Sequence, residues 1–147
     1  MIAPIVSSFL GTLAFSILFN VDRKYYFLCG LTGMIGWVMY CVTVGRTSPA
    51  VASFIGTVMV VLIARMFSVW KKCPITLFLI PGIFPLVPGT GVYYTAYYFV
   101  VNDMAKASEM GILSVKIAFA IVLGIIFIVS MPRKWFSTLY WKKKIEK

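Results

Sequence analysis

Residues 74–102 read PITLFLIPGIFPLVPGTGVYYTAYYFVVN and carry no charge. The first eighteen hold four prolines (Pro74, Pro81, Pro85, Pro88) and three glycines (Gly82, Gly89, Gly91). An interior proline removes a backbone donor and clashes with the carbonyl one turn earlier, so no continuous helix is expected across residues 81–88. The stretch is too long for one upright membrane helix and too short for two. It reads as a half-helix near 75–80, a non-helical break over 81–89, and a second half-helix near 90–103. In hydrocarbon, such a backbone survives only where protein or a wet cavity covers its unpaired groups. At 1.5 Å per residue the second half covers about 20 Å, which leaves its start near the membrane middle. Its free N–H groups and positive dipole end then favour an anion such as a carboxylate.

The rest of the chain suits a bilayer. Of 147 residues, 61% are hydrophobic and 12% charged, and mean hydropathy is +0.96. A soluble domain of this size cannot bury that much apolar surface, and no length is left over for a separate catalytic domain. Charge-free windows at 1–21, 25–45, 47–64, 73–102 and 117–132 mark the spans. The expected fold is all-α, a polytopic membrane protein of about five transmembrane helices with the fourth broken by the Pro/Gly-rich segment. Its spans lie near 2–19, 25–44, 49–70, 75–103 (discontinuous) and 112–131, followed by a basic tail over 132–147.

The net charge of +10 reads as topology rather than a nucleic-acid surface, because the cations lie between spans and in the tail. With five crossings, one side holds Arg23, Lys24, Lys71, Lys72 and the tail's Arg133, Lys134, Lys142, Lys143, Lys144 and Lys147. The other keeps Arg46, Lys106 and Lys116. A purely re-entrant opening segment removes that bias. Five crossings therefore place the N-terminus outside and the C-terminus in the cytoplasm, with Trp135, Tyr140 and Trp141 among the cytoplasmic headgroups. The first charge is Asp22, so no basic n-region precedes the first apolar run and no cleavable signal peptide is expected.

Several side chains carry candidate chemistry. Tyr93 and Tyr97 form one i, i+4 pair and Tyr94 and Tyr98 the next, each hydroxyl able to donate or accept. They line a pathway, pack, or, for Tyr97 and Tyr98, join an interfacial belt. Thr90 and Thr95 are small polar candidates beside them. Arg65 stands inside an apolar helix, either snorkelling toward the interface or balancing an anionic substrate or a partner's carboxylate. Gly30, Gly33 and Gly36 lie close to one helix face and admit another backbone or form a permeation groove. Asp103 closes the second half-helix as a solvated acid or a proton carrier.

Enzyme chemistry has little to work with. Histidine is absent, no two carboxylates share a span, and no glycine loop joins a Lys-Ser/Thr pair. Cys29, Cys41 and Cys73 match no metal spacing and read as packing thiols, so neither metal nor cofactor is expected. Spans one to three also lack the buried carboxylate expected of a small multidrug exporter.

Pro81-Gly82-Ile83-Phe84-Pro85-Leu86-Val87-Pro88-Gly89, followed by Tyr93 and Thr95-Ala96, resembles the signature of the threonine/serine exporter family. The similarity is closer to its short YjjB-like subunit, which corresponds to the C-terminal half of the full-length exporters. Phe19-Asn20 and the stretch from Cys29-Gly30 to Gly36 are similar to that subunit as well. The resemblance implies export of threonine and serine, or of succinate, together with a larger YjjP-like membrane subunit, in a bacterial plasma membrane. It assigns the site to Pro85, Pro88, Gly89 and Tyr93. The residues themselves add Thr90, Tyr94, Tyr97 and Arg65, with Pro88 and Gly89 setting backbone geometry and Arg65 balancing charge. A second copy of the chain is an alternative or additional partner. The competing reading is a non-transporting scaffold whose glycine-rich helices stabilise a partner that holds the whole pathway.

Overall fold

The computed structural model describes residues 2–131, so the basic tail with Trp135, Tyr140 and Trp141 lies outside the described residues. The described residues form helices and no strand. Helix α1 (Ile2–Leu18) leads through a 3-10 turn (Arg23–Tyr25) into α2 (Tyr26–Val44), and α3 (Pro49–Lys71) follows. The Pro/Gly-rich stretch builds α4 (Thr76–Ile83), a 3-10 turn (Phe84–Leu86) and α5 (Gly89–Val100), after which α6 runs from Met104–Val129.

Local chemistry sets the boundaries. Ser48 caps α3 by accepting from the Val51 N–H, and Pro49 takes the first helical position, where its missing donor costs nothing. Asn20, Lys72 and Asn102 adopt left-handed backbone with φ of 54°, 54° and 64°. The next residue's N–H then reaches back to a last-turn carbonyl: Val21 to Ser16, Cys73 to Ser68 and Asp103 to Tyr98. Asp103 caps α6 by accepting from the Lys106 N–H. That cap starts α6 at Met104, so Lys106, Glu109 and Lys116 are helical.

Arg23–Val44, Pro49–Lys71 and Met104–Val129 are long and apolar enough to cross a membrane. The α4–α5 pair, bent by 47°, adds a fourth if taken as one broken span, while α1 is shorter. This is a multi-pass helical membrane protein. Its centre lies where α2, α3 and α4 meet, around Cys29, Val60, Val61, Ala64 and Phe78, none of which is exposed. The glycines of α2 are there for packing. A methyl at Gly30 would collide with the Phe9 ring, at Gly33 with Thr12, and at Gly36 with Val60. Gly82 of α4 is wedged in the same way between Thr32 and Val60. The stripe therefore seats neighbouring helices.

Candidate functional site

The break is narrower than expected. Helix α4 runs through Pro81 and Gly82 to Ile83, both residues buried, and only Val87 and Pro88 separate the helical turns from α5. Each proline deprives the carbonyl four residues earlier of its donor, and in each case another donor takes that place. Leu77 O, which Pro81 cannot serve, accepts the Cys29 Sγ–H at 3.3 Å from α2. Pro81 O accepts from the Phe84 N–H in 3-10 fashion, and Phe84 O accepts from Val87 at 3.2 Å. Cys29 is thus a packing thiol that also repairs a proline defect.

Beyond Leu86 the backbone opens. A cavity of about 440 Å³ lies between the break and α2, α3 and α6. Pro85, Pro88, Gly89, Thr90 and Tyr94 line it, so the structure brings together five of the eight site residues expected from sequence. Tyr93 and Tyr97 stand outside the lining, 64% and 49% exposed on the outer face of α5. Tyr94 stacks on Tyr98 with ring centroids 6.2 Å apart, which fixes the second tyrosine pair across one turn. Gly89 has a negative φ, and a methyl there would meet nothing within 4 Å. Its lack of a side chain keeps the cavity mouth clear and relieves no strain.

Arg65 lies apart from this cavity. It is buried, and its guanidinium donates to Ile128 O and, at 2.6 Å, to Met131 O. A cation on the last carbonyls of a helix answers the negative end of its dipole, and here it fastens the end of α6 to α3.

The cavity's other walls come from residues that sequence reasoning passed over. Trp37 and Tyr40 of α2 stack with centroids 5.2 Å apart, and the Trp37 indole nitrogen has no partner among the described residues. Ser53 of α3 and Ser114 of α6 add hydroxyls that donate to Pro49 O and Met110 O of their own helices, leaving oxygen lone pairs to accept. A serine inside an apolar span was the available signal, but nothing local says which serines share a wall. Gly91 sets the approach of α5 to α6, because a methyl there would strike the Ser114 hydroxyl. One turn on, Thr95 packs against Gly111.

Helix α5 follows Pro88, which offers no side-chain cap; the Gly89 N–H donates to Val87 O at 2.7 Å, and the Thr90 and Gly91 amides stand beside the cavity without a cap. No charged side chain is among the lining residues. This site offers backbone donors, hydroxyls and aromatic faces.

Residues 4–131 match the family model described as Threonine/Serine exporter, ThrE. The chain belongs to the threonine/serine exporter family. No curated protein and no solved structure matches it. In this exporter-family protein the matched region takes in all of α2 to α6 and nearly all of α1. The family is one of membrane transporters, and the cavity at the broken segment falls inside the matched residues.

Proposed function

We infer that this chain is one subunit of an exporter for small carboxylate-bearing metabolites, threonine and serine first, with succinate-like dicarboxylates as the alternative. A larger YjjP-like membrane subunit, a second copy, or both complete the pathway. The observation that carries this reading is the uncapped start of α5 opening onto the cavity. A carboxylate set against the Thr90 and Gly91 amides meets donors with no backbone acceptor and the positive end of a helix dipole, while the Gly89 N–H stays on Val87 O. Thr90, Tyr94, Ser53 and Ser114 supply partners for the rest of a small polar molecule. Pro85, Pro88 and Gly89 shape the backbone around it. An uncharged lining favours a zwitterion, whose net charge is zero, over a dianion that would lie there without a counter-charge.

On this reading α1 is the fifth span. Its 17 residues reach about 25 Å, enough to cross a thin core. The N-terminus then faces outward and the C-terminus the cytoplasm of a bacterial cell, as the distribution of Lys and Arg favours. The test is efflux of labelled threonine, serine and succinate from vesicles holding the chain and its larger partner. Tyr94→Phe and Gly89→Leu should slow threonine efflux while Tyr93→Phe leaves it intact. Equal efflux in all three variants would remove the site from the break.

A further inference from the structure

Helix α6 carries an exposed cation among exposed apolar side chains. Lys116 is the thirteenth of its 26 residues and exposed, with the exposed apolar side chains Ile112 and Phe119 nearby on the helix. It makes no ion pair with any described residue. The described acids are engaged or out of reach. Asp22 pairs with Lys24, Asp103 pairs with Lys106, and Glu109 stands seven residues, about 10 Å, along the helix. A lysine facing hydrocarbon is costly unless it meets an anion.

Beside Lys116 runs an apolar groove of about 670 Å³ between α5 and α6. Met104, Ser108, Gly111 and Val115 line it at alternating intervals of four and three, the spacing of a helix-packing seam, with Thr95 on the α5 side. Small residues at its floor let a third backbone come close. We propose that this groove receives a membrane helix of a different chain that carries an Asp or Glu level with Lys116. A second, parallel copy of this chain fits poorly, because rotation about the membrane normal sets lysine level with lysine. The inference rests on the reading of the chain as one part of a multi-chain exporter and names the surface where that part is joined.

The experiment uses the full chain in its native membrane, with the photo-crosslinking residue p-benzoylphenylalanine at position 108 and, as a control outside the groove, at 127. Adducts are identified by mass spectrometry. The expected product at 108 is a peptide from an apolar segment of another chain with an acid within one helical turn of the crosslink. Lys116→Glu should cut its yield about tenfold, the scale of a lost interfacial charge pair, and exchanging the partner's acid for lysine should restore it. Lys116→Arg keeps the charge at this exposed position and should keep the yield, which separates loss of the charge pair from loss of folding. Adducts with phospholipid alone, with a second copy, or with a segment lacking an acid would overturn the proposal. So would an absent adduct, or a yield that Lys116→Glu leaves unchanged. The readout does not depend on efflux, so an interface without transport and transport without this interface give different results.

Discussion

Helices α4 and α5 are cut from one charge-free, proline-rich stretch, yet they live in opposite surroundings. Helix α4 buries Phe78, Leu79, Pro81 and Gly82 between α2 and α3, while α5 buries no residue at all. Proline content does not separate them, since α4 holds Pro81 within the helix and α5 merely follows Pro88. Available donors do. Where Cys29 and the Phe84 amide reach the carbonyls that proline frees, the chain is buried. Where the helix restarts without a cap, it faces a cavity.

The contrast is sharpest at the buried half, where a single substitution should do most harm. Phe78→Ala empties a fully buried position and should cost about 3 kcal/mol of stability, read as a lower unfolding temperature in detergent. Tyr93→Ala, on the exposed face of α5, should stay within about 0.5 kcal/mol. Equal losses would mean that the two halves are equally structural. Gly91→Leu comes next. Its side chain meets the Ser114 hydroxyl, so overpacking of about 1–3 kcal/mol should loosen α5 from α6 and stop efflux. Gly89→Leu projects into open space and should leave the unfolding temperature unchanged while slowing efflux. Cys29→Ala leaves Leu77 O without a partner beside Pro81 and should cost about 1 kcal/mol, most of it restored by Cys29→Ser.

The smallest effect lies at the α5–α6 corner. The Lys106 ammonium, 2.9 Å from Asp103, and the Lys106 backbone N–H hold the Asp103 carboxyl below the usual carboxylate range. A carboxyl held low in the folded state stabilises fully above its unfolded value, about 3.9, and that stabilisation is lost as pH falls through the lowered native value. Asp103→Asn should therefore lower the unfolding temperature slightly at pH 7 and flatten its decline in acid. An unchanged acid limb would show that the cap and ion pair contribute nothing measurable.

Much of the cavity lining was legible. Pro85, Pro88, Gly89 and Thr90 could be placed together because a proline break followed by a helix start is a local pattern. Tyr94 could not be told from Tyr93 or Tyr97, because only the rotation of α5 about its axis against α6 selects which tyrosine faces the cavity. Arg65 looked like a charge near an interface. Its true contacts, Ile128 and Met131, lie more than sixty residues away, and no spacing rule reports on them.

The amino-acid order alone determined that the chain belongs in a bilayer, that it is helical, and that it is interrupted near residue 88. Hydropathy and proline act within a few residues, so these properties need no tertiary partner. Tertiary structure decided how wide the interruption is and which side chains wall the cavity beside it. Those outcomes depend on whether a distant donor such as Cys29 meets a freed carbonyl, and on whether a glycine such as Gly91 lets α5 settle against α6.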